Sequence, residues 1–249
     1  MSSGGYEPLI PVCLHGIQGL LADESRLRNQ SEVGFDVFEF VGERFRQILF
    51  ASWQHFSLVA QCLILATIIA VVVATLVYKN KSLSSLANGV SAIGLTVPSF
   101  AAIGLLIAPF GFGVTPAVIV VTFFAALPIV RNAIVGLAGI SPSIVESARG
   151  IGMSRFRTLA TIELPMAWPV ILSGIRVSAQ MVMGVAAVAA YALGPGLGGF
   201  IFSGLSRLGG AKAFDSVLVG VIGVVILAFI LDLILIGIGR LTTPRGIRV

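Results

Sequence analysis

Five long stretches of this chain carry almost no charge: 56–78, 86–108, 114–137, 168–193 and 216–239. The first has 23 residues and none is charged. At about 1.5 Å per residue it reaches roughly 35 Å, enough to cross a hydrocarbon layer of about 30 Å with some tilt. The second is also uncharged but contains Asn88, Thr96, Pro98 and Ser99. Pro128, Arg131 and Asn132 lie in the third, Arg176, Ser178, Gln180, Met181 and Met183 in the fourth, and a single acid, Asp232, in the fifth. Inside lipid every backbone N–H and C=O must be satisfied within the protein, so stretches like these fold as helices. The expected fold class is an all-α integral membrane protein with five transmembrane helices. Composition agrees: 57% of residues are hydrophobic and only 11% charged, where soluble domains carry about 25% charge.

The first fifth of the chain is different material. Residues 1–55 hold four arginines against seven acids, whereas the remainder holds twelve Lys/Arg against four acids. Residues 1–34 lack a sustained period and read as a flexible leader. The modest apolar stretch at 10–21 has neither the basic start nor the small-residue cleavage site of a signal peptide. From 35 to 55, Phe38, Val41, Phe45, Ile48 and Leu49 recur at helical spacing, with Asp36, Glu39, Glu43, Arg46 and Gln47 off that stripe. This segment is an amphipathic helix too charged to span, suited to the membrane interface or to packing on the bundle. Basic residues then set the orientation. Lys79 and Lys81, then Arg149, Arg155 and Arg157, then Arg240, Arg245 and Arg248 follow alternate spans, and basic loops stay cytoplasmic. The expected topology puts the N-terminus outside and the 241–249 tail in the cytoplasm.

Several functions are excluded by what the chain lacks. The sixteen Lys/Arg are strung along the chain beside apolar runs, so no nucleic-acid surface is expected. Cys13 and Cys62 cannot form a disulfide framework. Neither His15 nor His55 has metal-ligand spacing, and no metal site is expected. A G-x-x-x-x-G-K-[ST] phosphate loop is missing, so nucleotide would have to be bound elsewhere. No nucleophile–base pair or carboxylate dyad suggests catalysis.

The chemistry concentrates in the 138–167 loop between the third and fourth spans. Ser141-Pro142 is a helix start, a hydroxyl followed by proline at the first helical position, and Ser143 and Glu146 have capping-box spacing. Gly150 and Gly152 should end that helix. Ser154 can cap a second one running toward Glu163, with Leu164-Pro165 ending it before the fourth span. Ile144, Val145, Ile151, Phe156 and Leu159 exceed what two short helices can bury together, so this knob needs a partner surface.

Glu146-Ser147-Ala148, Gly152 and Ile162-Glu163-Leu164-Pro165, at this spacing, resemble the Glu-Ala-Ala loop of permease subunits in bacterial ATP-binding-cassette importers, with Ser147 where that family usually has alanine. Thr96-Val97-Pro98-Ser99, 126–132 and Gly194-Pro195-Gly196-Leu197-Gly198 narrow the likeness to permeases for glycine betaine, choline and carnitine, over about residue 56 to the tail. The resemblance implies that the loop is a coupling helix seated in a cytoplasmic ATPase, with Glu146, Ala148, Gly152, Ile162, Leu164 and Pro165 in that role. Arg149 and Gly150 join them, Arg149 beside Arg155 and Arg157 as a possible partner for acids on the ATPase. It further implies a bacterial inner or plasma membrane location and four kinds of neighbour: a second permease subunit, identical or related; two ATPase subunits, which would use the ATP and Mg; an extracellular or periplasmic solute-binding protein; and membrane lipid. This chain itself would bind no cofactor.

Thr96, Pro98, Ser99, Ser178, Gln180, Met181 and Met183 are the candidates for lining a translocation path. Arg131, Arg176 and Asp232 stand at membrane depth, where charges are costly and normally paired. Asp232 is expected to pair with Arg176 or Arg131 as part of a cytoplasmic gate, or as static glue between helices. Few Tyr or Trp cluster within the spans, which points to a weakly binding conduit. The function expected is thus the permease of an ATP-driven importer of quaternary-amine solutes. An amino acid or other small solute in the same machine is the alternative, and a secondary carrier or channel is a further one, disfavoured by the lack of an inverted repeat.

Overall fold

The computed structural model describes residues 33–208, 210 and 212–242. Among these the chain is all-helical. Its α-helices are α1 (Val33–Val77), α2 (Lys81–Gly94), α3 (Ser99–Phe110), α4 (Val114–Ala138), α5 (Pro142–Gly150), α6 (Arg155–Thr158), α7 (Leu164–Ala189), α8 (Gly198–Leu205) and α9 (Ala213–Thr242). All but the last two residues of the leader read from sequence, and the tail beyond Thr242, lie outside the described residues.

The amphipathic segment and the first span are one helix. α1 runs 45 residues without a break, roughly 68 Å long, because no glycine or proline interrupts 43–77. The stripe read from sequence is not its packing face: Phe38, Phe45 and Leu49 are exposed, and Phe40 is buried instead. Phe40 meets Phe200 of α8 edge-on at 6.4 Å between ring centroids, and Arg44 lies 4.8 Å from the Phe40 centroid. Glu43 accepts a 2.9 Å ion-paired hydrogen bond from Lys212. Further along, Ala66, Ala70 and Ala74, one per helical turn, are completely buried and let α1 lie close to α4.

The 86–108 stretch is not a continuous span. α2 and α3 meet at a bend of 93°. The cause is Pro98, whose ring disfavours helical backbone at Val97 and removes the N–H the next turn would need. Thr96 closes the end of α2 by donating its hydroxyl to the Ile93 carbonyl at 2.7 Å. Among the described residues, four helices are long and apolar enough to cross a membrane, or five if the bent pair counts as one.

At the centre α4 packs along α7, α1 crosses α4, and α9 leans on α7 and α8. α4, α7 and α9 match the stretches read at 114–137, 168–193 and 216–239 to within a few residues, except that α7 begins earlier. Leu164-Pro165 does not end the loop helix. α6 runs through a widened turn, Leu159–Glu163, straight into α7, and the Leu164 N–H bonds Leu159 O five residues back. A proline ring clashes with the carbonyl four residues before it in a regular helix, and a π turn relieves that clash. α8 was not expected from the glycine-rich sequence that begins it.

Candidate functional site

The knob is built by its turn. α5 starts with Pro142 in its first turn, but Ser141 does not cap it; the Ser141 hydroxyl is engaged with that of Ser143 at 2.8 Å. Ser143 lies inside the helix, so it is not the cap of a Ser143–Glu146 box either. Gly150 belongs to the last turn of α5, and only Gly152 takes a left-handed conformation, with φ +87°. The Gly152 N–H bonds Arg149 O at 2.9 Å and the Met153 N–H bonds Ala148 O at 3.1 Å, the paired bonds of a Schellman end. Ser154 then caps α6, accepting from the Arg157 N–H at 3.3 Å. Ala148 is the buried residue of α5. Glu146, Arg149, Arg155 and Arg157 are exposed, and so are Ile144, Ile151 and Phe156. Ile151 and Phe156 are 81% and 79% exposed, the apolar excess the sequence led us to expect.

Ile162, Leu164 and Pro165 are half-buried at the base of the knob, around a buried carboxylate that the sequence reading passed over. Glu163 is 2% exposed. The Tyr78 hydroxyl donates to its Oε2, and Lys79 Nζ stands 3.8 Å from its Oε1. An acid between Ile162 and Leu164-Pro165 is the only hint in the sequence, since its partners lie 85 positions away.

At membrane depth the open choice of partner is resolved. Arg176 grips Asp232 with both arms of its guanidinium: Nε donates to Oδ1 at 2.9 Å and Nη2 to Oδ2 at 3.0 Å. The planar fork matches the carboxylate, giving the strongest kind of side-chain ion pair. Arg131 is exposed and takes no part in this pair.

The path candidates separate into two groups. Thr96 and Pro98 are exposed and Ser99 half-buried, all at the α2–α3 bend. Gln180 is exposed and Met181 half-buried on α7. Ser178 and Met183, in contrast, are sealed inside the bundle and face no path in this conformation. The Ser178 hydroxyl donates to Ala125 O of α4 at 2.7 Å, so it serves as helix–helix glue; Met183 fills core space, and its carbonyl lies 3.2 Å from His55 Nε2. His55 is fully buried against Gly196, where a Cβ would come within 2.7 Å of Nδ1. That contact, together with φ +123°, explains the glycine. Beside the bend, Tyr191 joins Phe100 at 4.7 Å and Phe202 at 5.7 Å between ring centroids. This aromatic cluster was invisible in the sequence because its members come from three elements.

The chain matches the family described as binding-protein-dependent transport system inner membrane component over residues 36–245. It is 34% identical over 212 residues to the carnitine transport permease protein OpuCB of Listeria monocytogenes, covering 85% of this chain and 95% of that protein. With the osmoprotectant import permease protein OsmW of Salmonella typhimurium it shares 38% identity over 202 residues, covering 79% and 92%. The choline transport system permease protein OpuBB of Bacillus subtilis is 31% identical over 212 residues, covering 85% and 96%. Among solved structures, an inward-facing form of the MetNI methionine ABC transporter matches with a TM-score of 0.66 at 19% identity, over 79% of this chain and 96% of that one. At that identity the likeness shows the fold.

Proposed function

This chain belongs to the family of binding-protein-dependent transport system inner membrane components, and from that premise we propose that it is the transmembrane permease subunit of an ATP-driven importer for quaternary-amine compatible solutes: glycine betaine, choline or carnitine. The observation that carries the reading is the α5–α6 knob. Its backbone is fixed by the Gly152 turn, its apolar side chains stand in the open, and it continues without a break into the central helix α7. Burying one such side chain against a partner is worth roughly 1.5–3 kcal/mol, and the likeness in fold to the MetNI methionine ABC transporter supports a cytoplasmic ATPase subunit as that partner.

Two such permease subunits enclose the path, and ATP binding to a pair of ATPases drives alternating access through their knobs. An extracellular or periplasmic protein delivers the solute. The positions of the basic residues support a knob and C-terminus in the cytoplasm and an N-terminus outside. The names of the relatives support the solute class. So does the ring cluster Phe100–Tyr191–Phe202 beside the bend, since a quaternary ammonium cannot donate hydrogen bonds and is attracted to aromatic faces. The Arg176–Asp232 pair acts as part of the cytoplasmic gate.

Reconstitution tests this reading. Proteoliposomes holding the permease, its ATPase and its solute-binding protein should accumulate labelled glycine betaine, choline or carnitine only when ATP is supplied. Uptake that survives without ATP under an ion gradient would identify a secondary carrier. A cysteine at Ile151 should crosslink to the ATPase; crosslinks to lipid or nothing would remove the coupling role.

A further inference from the structure

We infer that Glu163 is a positioning residue for energy coupling: its carboxylate clamps the base of the knob to the end of α1, so that a movement of the knob reaches α1 and α7 together. The inference rests on the importer reading above and adds a residue to it.

Burying a carboxylate is costly unless it is paired, and Glu163 is 2% exposed at the one place where the backbone departs from α-helical bonding between knob and core, the Leu159–Glu163 turn. Both of its partners come from consecutive residues at the end of α1. Tyr78 gives a hydrogen bond to Oε2. Lys79 reaches Oε1 only as a charge, at 3.8 Å, and Oε1 accepts no hydrogen bond from the described residues. The Tyr78 ring is held in turn by the Lys79 ammonium, 5.1 Å from its centroid. One cluster therefore ties together the end of α1 and the turn leading into α7. A cleft of about 360 Å³, lined by Val71, Ala160, Leu164, Pro165, Trp168 and Thr242 among others, borders that turn. A buried leucine would hold static packing at lower cost; a hydrogen-bonded clamp beside open space suits a joint that must engage and move.

The test uses the complete transporter in proteoliposomes, with solute uptake and ATP hydrolysis measured in the same vesicles. Tyr78→Phe and Glu163→Ala should leave hydrolysis running while uptake falls, raising the ATP consumed per solute by about 10-fold or more, the scale set by losing one hydrogen bond to a charged group. Glu163→Gln keeps an acceptor for the Tyr78 hydroxyl and should bring the ratio back to within about twofold of wild type. A purely structural role predicts that uptake and hydrolysis fall in proportion; an unchanged ratio in Tyr78→Phe and Glu163→Ala overturns the clamp, as does a Glu163→Gln ratio as high as that of Glu163→Ala. If Glu163→Ala fails to accumulate in the membrane, Tyr78→Phe, which removes a single oxygen atom, decides alone. Wild-type vesicles that show no ATP-dependent uptake would refute the importer reading itself, before any variant is compared.

Discussion

α7 and α9 are both long apolar helices, yet they solve opposite problems. In the most apolar window of the rod containing α7, 61% of residues are buried inside the protein; in that of α9, the more hydrophobic of the two, only 11% are. Seven of the thirteen residues α7 buries are small or polar, Ala167, Gly174, Ser178, Ala179, Ala186, Ala187 and Ala189, set among Ile171, Leu172, Ile175, Val182, Met183 and Val185. α9 presents Val221, Ile222, Val225, Ile226, Phe229, Ile230, Leu233 and Ile234 outward, adjacent pairs repeating every four residues along one broad stripe. In water the most apolar helix goes inside. Against lipid there is no such drive, and the inside belongs to the helix whose small residues permit close backbone approach and whose polar groups find partners. Arg176–Asp232 is the strongest polar link between these two helices.

Four substitutions test that contrast, in descending order of effect. Gly174→Leu should be the most damaging, by more than about 3 kcal/mol, because even a Cβ there would stand 2.6 Å from the Asn132 Cβ of α4; unfolding in bicelles or loss of membrane-inserted protein would report it. Asp232→Ala should cost about 3 kcal/mol by stranding Arg176 at membrane depth. The double exchange Arg176→Asp with Asp232→Arg should recover most of that loss, and a double as weak as the single would dissolve the pair as a stabilising link. Ser178→Ala should cost only about 0.6 kcal/mol, the usual worth of one hydrogen bond between membrane helices, measured by the same unfolding assay. Phe229→Ala, although it deletes a whole ring, should change stability by under about 0.5 kcal/mol. A larger effect of Phe229→Ala than of Ser178→Ala would break the contrast, and would mean that the outer face of α9 packs on protein.

What the sequence made legible follows from the range of the interactions involved. The ends of α4 and α9 were readable because glycine and charge bound their apolar runs. Gly152 was readable because a left-handed helix end needs a local residue, and glycine alone meets it without strain. The 93° bend was partly written at Pro98, but hydropathy averages over such a residue, and proline within membrane helices is common enough to read as tolerated. Leu164-Pro165 misled in the opposite sense: proline signals a stop, and a widened backbone turn let the helix continue. Glu163, His55 and the Phe100–Tyr191–Phe202 cluster were beyond reach, because each depends on partners brought from distant segments. Ser178 and Met183 were placed on a path because polar and flexible side chains suit one, whereas the helix face that carries them turned inward.

The bidentate grip of Arg176 on Asp232 also imposes an order of events during biosynthesis. The ribosome delivers the chain from its N-terminus, so the guanidinium is made 56 residues before its counter-ion. Until the last helix is threaded in, the nascent protein carries a cation at membrane depth without its counter-ion. A product that stops short of α9 would therefore keep that cation unpaired, a costly state at membrane depth.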